Sequence, residues 1–361
     1  MPEISMANSV QGSVSHYYSE VLKKTDDLKT NACKTSGRPP QHIIDAINKV
    51  SPEVNAKYYG CGLCIPEELE GRTVLDLGCG SGRDVYIASQ FVGENGHVIG
   101  VDMTKDQIDV AIAGEEFNKC TNNLSNTTFK HGYIEKLSEL GIEKNSVDVI
   151  ISNCVINLSP DKFSVLKGAY DLLKPGGELY FSDVYADRRV PQNLRENKEL
   201  WGECISGALY WNDFVGMAKK AGFLDPRLVS DSVITVDNPT LEKLCGNIKF
   251  FSATYRLFKI PDLETHCEDY GQAVIYNGGM ERSEFSFKLD DHHEIETGKV
   301  FGVCGNTWKM LHDTRFKKFF TFIGDFSTHY GIYDGCGTSL PFASAKNEGA
   351  GGGGGGGGGC C

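Results

Sequence analysis

The stretch Thr73–Arg83 reads T-V-L-D-L-G-C-G-S-G-R. Val74, Leu75 and Leu77 make a short apolar run of strand character, and Asp84 to Phe91 after it reads as a helix. Between them stand three glycines at alternate positions, Gly78, Gly80 and Gly82. Glycines there let the chain turn sharply and bring backbone N–H groups close to a ligand. The dinucleotide fingerprint G-x-G-x-x-G seats a pyrophosphate on the helix N-terminus. Here the third glycine comes one residue early, and Asp76 sits two before the first. A carboxylate at that place repels pyrophosphate and suits an amino group.

Outward from this stretch the chain alternates strand and helix. A second strand is expected at 97–101, ending in Asp102-Met103, where an acidic group would accept hydrogen bonds from ribose hydroxyls. Thr104 and Gln107 form a capping box for a helix running to about residue 119. Strands follow near 127–131 and 146–152, the latter leading into Asn153-Cys154. Ser159-Pro160 would start a helix with Phe163, Leu166, Ala169 and Leu173 inward, stopped by K-P-G-G at 174–177 before a strand at 179–184. A polar insertion, about 185–210, runs into W-G-E-C-I-S-G-A-L-Y-W at 201–211. Helices at 212–221 and 240–245 and strands at 226–236 and 249–259 resume the rhythm. With a helix at 41–50 in front, residues 40–260 are expected to form one α/β domain around a mostly parallel, doubly wound sheet.

The flanks differ. Residues 1–39 read as a flexible segment carrying Cys33, with a short helix at Ser13–Leu22. Residues 261–345 read as a small β-rich α+β domain. Strands at 272–276 and 284–289 would pair about Asn277-Gly278-Gly279, followed by a strand at 299–303 and a helix at 307–315. His292-His293-Glu294 reads as a solvated turn. Residues 346–361, almost all glycine and ending Cys360-Cys361, read as a disordered tether.

The 361 residues carry a net charge of −12. That argues against nucleic acid or an anionic membrane surface as partner, since both want clustered Lys and Arg. With no signal-type apolar segment and no apolar run of membrane length, the expectation is a soluble, cytoplasmic, monomeric protein. Thirteen cysteines is an odd count in a long chain, which disfavours a disulfide scaffold; most should be small buried hydrophobes. Three stand apart. In an open parallel sheet, ligands sit beyond the carboxyl ends of the strands. Cys154 follows the fourth strand, Cys204 lies in the insertion after the fifth, and Cys61 precedes the first. All three can converge there, where no His or Lys is evident as a general base. Cys61 and Cys64 also make C-x-x-C, half a zinc knuckle or a redox pair. Trp201, Tyr210 and Trp211 are candidates for walling off water. Converging thiolates can hold zinc, preferring four ligands, or a trivalent metalloid such as arsenic(III), which takes three and keeps a lone pair able to attack an electrophilic methyl group.

The glycine loop with its aspartate resembles the signature of class I S-adenosylmethionine-dependent methyltransferases. The whole chain from about residue 28 to 260 is similar to the arsenite methyltransferase family. The similarity is carried by L-K-T-N-A-C at 28–33, Y-Y-G-C-G at 58–62, D-L-G-C-G-S-G-R-D at 76–84, G-V-D-M-T at 100–104 and H-G-Y-I-E-K-L at 131–137. It continues in S-N-C-V-I-N-L at 152–158, G-G-E-L-Y-F-S-D-V-Y at 176–185 and the 201–211 motif. Y-N-G-G at 276–279 is a weaker match, and Cys64 stands where an aliphatic residue is expected, which leaves the pairing of its neighbours open to diversion.

The resemblance implies a Rossmann-like class I methyltransferase fold. It also implies methyl transfer from S-adenosylmethionine to arsenite or its thiol conjugates, giving mono- and dimethylated arsenicals in arsenic detoxification. In that scheme Cys154 and Cys204 hold arsenic throughout, Cys61 is the third ligand of the inorganic form, and Cys33 pairs with Cys61 in a disulfide reopened by thioredoxin or glutathione. No metal is required. Tyr59, Asp76, Gly78, Gly80, Arg83, Asp102, Met103, Ile134, Glu135 and Asn153 would bind S-adenosylmethionine. Two other outcomes stand beside it: a methyltransferase for a small organic acceptor with a structural zinc on the cysteines, and a non-catalytic thiol protein that binds metalloids. Asp76, Gly78, Gly80 and Asp102 weigh against the second, because storage needs no sulfonium donor.

Overall fold

The structure, a computed structural model, describes residues 39–58, 64–197, 200, 204–236 and 238–338. Two short helices, α1 (Gln41–Ile47) and α2 (Pro52–Ala56), lead in, each with proline in or before its first turn. Then come β1 (Thr73–Leu77), α3 (Arg83–Val92), β2 (His97–Asp102), α4 (Lys105–Ala113), α5 (Glu115–Asn122), β3 (Thr127–His131) and β4 (Val147–Asn153). Next are α6 (Lys162–Leu172), β5 (Leu173–Ala186), α7 (Gln192–Arg195), β6 (Leu209–Tyr210), α8 (Trp211–Ala221), β7 (Arg227–Ile234), α9 (Pro239–Cys245) and β8 (Phe250–Phe258). The sheet order is β3-β2-β1-β4-β5-β8-β7, with β6 beside β5. β1 to β5 are parallel, and β8 runs antiparallel to both β5 and β7. Central strands are buried on both faces, so β1 reads as an unbroken buried run after Thr73. The chain leaves β1 toward β2 on one side and returns to β4 on the other. That reversal opens the crevice at the carboxyl ends of β1 and β4.

Local chemistry shifts some expected boundaries. The 104–119 helix is two helices, α4 and α5, meeting at Gly114, where an added Cβ would lie 3.0 Å from the Tyr86 ring. Thr104 is the N-cap residue, but its side chain makes no capping bond; its amide donates to Asp102 Oδ1 at 2.8 Å. α6 begins at Lys162 because Asp161 caps it, accepting from the Ser164 amide at 3.0 Å. That start turns Val165, Leu166, Ala169 and Leu172 inward and leaves Phe163 41% exposed, against the inward placement the sequence suggested.

The C-terminal unit holds β9 (Glu268–Asp269), β10 (Gln272–Tyr276), β11 (Ser286–Lys288), β12 (Glu294–Glu296), β13 (Val300–Val303), α10 (Gly305–His312), β14 (Phe320–Ile323) and β15 (Gly331–Ile332). The expected 272–289 hairpin does not form. β10 lies between β13 and β14, while β11 pairs with β12 and β15 with β9. His293 is buried rather than solvated, 2.7 Å from Asp290 through Nδ1.

A buried charge bridge joins the unit to the sheet. Glu178 on β5 is fully buried and meets Arg256 of β8, its Oε2 3.2 Å from Nε, and Arg315 of the C-terminal unit. Arg256 also reaches Glu67 at 2.7 Å, and Arg315 donates to the Glu67 carbonyl at 2.9 Å. Gly176, just before, has φ of 78°, and a Cβ there would lie 2.2 Å from the Asp313 carbonyl. Removing one partner of such a group strands a buried charge. Glu178→Ala is expected to lower unfolding free energy by about 3–5 kcal/mol, read as a lower urea midpoint, and an unchanged midpoint contradicts this role.

Candidate active site

The glycine loop closes on the strand beside it. Gly78 and Cys79 donate from their amides to the Val101 carbonyl at 2.8 and 3.0 Å. The Gly80 amide donates to Asp102 Oδ2 at 2.9 Å. Gly78 has φ of 76°, and a Cβ on it would stand 2.3 Å from Val155 Cγ1. Only glycine lets the loop after β1 touch the loop after β4 this closely. Between and around them lies a cleft, partly open to solvent. Asp76, Gly78, Gly80, Asp102, Met103, Ile134, Glu135, Asn153 and Cys154, nine of the expected residues, line it.

The cleft is acidic at depth. Asp76, Asp84 and Asp102 line it together. Burial pushes the Asp76 carboxyl well up, and the charges of Asp84 and Asp102 push it further. Burial also raises Asp84, with Arg83 opposing. Asp102 is raised by burial against hydrogen bonds from the Thr104 and Gly80 amides. Asp76 has no hydrogen-bond or ion-pair partner among the described residues, and Asp84 Oδ1 and Gln107 Oε1 are buried without hydrogen bonds. A buried carboxylate of this kind calls for a cationic ligand. The ammonium and sulfonium of S-adenosylmethionine fit that demand, and Asp102 keeps acceptor capacity for hydroxyl groups beyond its two amide bonds.

Thiols occupy the neighbouring wall. Cys154 directly follows β4 with φ of 57°, and Cys204 has φ of 62°. Left-handed backbone at a residue with a side chain costs about 1–3 kcal/mol and gathers at functional sites. Both residues are buried in one apolar cluster with Leu158, Val184 and Leu200. The Cys204 thiol donates to the Cys154 carbonyl, with Sγ 3.4 Å away. The loops are brought together by Gly207, where a Cβ would lie 2.2 Å from the Asn157 carbonyl, and by the Asn157 amide donating to Asp183 Oδ2 at 2.9 Å. Cys154 is disulfide-bonded.

Other expected residues fall elsewhere. Tyr59, Cys61, Cys33, Trp201 and the Cys360-Cys361 tail lie outside the described residues. Arg83 does not line the cleft; its guanidinium lies 3.5 Å from the centroid of the Tyr58 ring. Cys64 is a core residue, fully buried beside Leu69 and Val74, its thiol pushed well up by burial. Trp211 is 48% exposed and does not line the cleft.

Sequence reasoning missed Tyr58, whose hydroxyl accepts from Asn153 Nδ2 at 2.6 Å, and Asp84, which takes a second bond from the same amide at 3.2 Å. It also missed Lys162. Burial lowers this ammonium to about 8 against the charges of Asp183 and Cys204, so a cation does stand near the thiol wall. Asp84 directly follows the quoted glycine stretch and was the one legible in advance.

A methyltransferase-domain model matches residues 68–222, and a model of the arsenite methyltransferase C-terminal domain matches 270–361. The arsenite methyltransferase of Aquipseudomonas alcaligenes is 56% identical over 330 residues, 91% of this chain and 95% of that one. The Homo sapiens arsenite methyltransferase is 48% identical over 316 residues, 86% of this chain and 83% of that one. Among solved structures, CrArsM, an arsenic(III) S-adenosylmethionine methyltransferase from Chlamydomonas reinhardtii, superposes with a TM-score of 0.79 at 47% identity. It covers 82% of this chain and 100% of its own.

Asp76→Asn is expected to weaken binding of S-adenosylhomocysteine by about 10–150-fold, the worth of one charged hydrogen bond of roughly 1.5–3 kcal/mol. In the unmutated protein affinity should fall as acid protonates Asp76, and that slope should be shallower in the variant, where Asp84 and Asp102 still titrate. Calorimetric titration reads both, and equal affinities would contradict the assignment.

Proposed function

The chain belongs to the arsenite methyltransferase family, and we propose that it methylates trivalent arsenic held on Cys154 and Cys204, yielding mono- and dimethylated arsenicals. One observation carries this reading: Cys154 lines a carboxylate-lined cleft, and Cys204, from a separate loop and also in left-handed backbone, packs directly behind it with its sulfur 3.4 Å from the Cys154 carbonyl. When bound, S-adenosylmethionine supplies an electrophilic methyl group on a sulfonium centre. Asp76 takes the ammonium of the donor, Asp102 accepts from its ribose, and the glycine loop lets the backbone approach. Gly78, Gly80, Met103, Ile134, Glu135 and Asn153 shape the rest of that seat.

On the other wall, thiolates bind arsenic(III) as a soft pyramidal centre that keeps a lone pair. The site therefore needs no general base, and its task is to hold two reactants in near-attack geometry. Cys61 serves as third ligand of inorganic arsenic, and Cys33 pairs with it between turnovers. The disulfide at Cys154 must open before arsenic loads, which favours a thiol reductant of the thioredoxin or glutathione class. We place the activity in a monomer in the cytoplasm.

The test is incubation with S-adenosylmethionine, arsenite and a thiol reductant, with arsenic species resolved over time. Mono- and dimethylated products are expected. Cys154→Ser and Cys204→Ser should abolish both, while Cys33→Ser and Cys61→Ser should still methylate a monomethylated substrate. Normal arsenite methylation by Cys204→Ser would overturn the thiol assignment.

A further inference from the structure

Away from the cleft, the C-terminal unit gathers three more cysteines. Cys267, Cys304 and Cys336 form a buried cluster with Tyr333 against it. None lines the cleft. Cys304 caps α10, its sulfur 3.5 Å from the Thr307 amide and 3.3 Å from Thr307 Oγ1. Arg227 reaches the same sulfur at 3.9 Å from β7, the edge strand, which is three strand spacings or roughly 14 Å from β4. The Cys267 side chain hydrogen-bonds the Cys304 sulfur. Cys336 is the buried member of an exposed turn, held there by Tyr333, whose amide donates to the Cys267 carbonyl at 2.8 Å.

We propose that Cys267 and Cys304 form a second thiol site, separate from the cleft, that binds monosubstituted trivalent arsenic, the chemical class of a once-methylated arsenical. A guanidinium, a helix N-terminus and a neighbouring thiol all favour negative charge on one sulfur. The hydrogen bond from Cys267 holds the Cys304 thiol below its ordinary range against its burial, with Arg227 assisting. Among the described residues no three His, Cys, Asp or Glu side chains stand in metal-holding geometry. The structure thus offers a pair of sulfurs, which suits an arsenic with one carbon substituent and two exchangeable positions. Zinc would want three or four ligands.

Binding exchanges two As–OH bonds for two As–S bonds. The hydroxyls leave as two waters, taking one proton from Cys267 and one from Cys304 or, where that is already a thiolate, from solvent. Arsenic stays trivalent, and no oxidant or reductant is consumed. The choice of arsenic rests on the methyltransferase reading above. The test needs no donor and no turnover, so its failure leaves that reading untouched.

The probe is phenylarsenoxide, added to the full chain after reduction with a phosphine. Arsenic per chain is measured after desalting. Cys267→Ser/Cys304→Ser and Cys304→Ser should each bind one equivalent less than the unmutated chain, and Cys336→Ser should bind the same amount. An unchanged ratio in the double variant overturns the proposal, and a lost equivalent in Cys336→Ser overturns its two-sulfur form. Non-reducing digestion of the loaded, unmutated chain gives a reading free of any folding defect. A phenylarsenic-bridged pair of peptides containing Cys267 and Cys304 is expected, and its absence overturns the proposal.

Discussion

The contact between Gly78 and Val155 ties the two halves of the site together. A side chain at residue 78 would stand 2.3 Å from Val155 Cγ1, so the loop after β1 approaches the loop after β4 only because position 78 is glycine. One loop carries the glycine backbone that lines the cleft. The other carries Cys154, one residue before Val155. Their adjacency in the sheet makes the approach possible, and the missing Cβ makes it close. Gly207 repeats the device against the Asn157 carbonyl and brings the Cys204 loop against the one that carries Cys154.

The two walls have opposite electrostatic demands. Burial raises all three carboxylates, the charges of Asp84 and Asp102 raise Asp76 further, and Asp76 has no partner among the described residues, so that side is built for a cation. The thiol side is apolar, with Leu158, Val184 and Leu200 around the sulfurs and Lys162 as the nearby cation. A cationic methyl donor and a soft, neutral thiolate-bound acceptor divide between such walls without competing. Strained backbone at Cys154 and Cys204, costing about 1–3 kcal/mol each, is borne by the surrounding core and fixes where the sulfurs point.

Much of this was legible in the sequence. The alternation from Thr73 onward places β1 to β5, and the rule that ligands sit at strand carboxyl ends picks out Cys154 and Cys204. Legibility failed where distant residues decide. Ser159-Pro160 reads as a helix start that turns Phe163 inward; Asp161 caps the helix instead, and Leu166 and Ala169 face inward as expected while Phe163 does not. β10 was given a local partner because Gly278-Gly279 looks like a hairpin turn, whereas its neighbours β13 and β14 are non-local. His293 looked solvated until Asp290 and the unit's fold enclosed it. Lys162 carries no local sign that burial will bring its charge near a thiol.

The central claim is that arsenic binds where these two loops meet, and anomalous scattering locates it most directly. Crystals of the reduced protein with S-adenosylhomocysteine would be soaked in arsenite and measured across the arsenic absorption edge. The account predicts an anomalous peak within bonding distance of both Cys154 Sγ and Cys204 Sγ, facing the homocysteine sulfur. Arsenic bound elsewhere, with both of these sulfurs bare, would contradict it.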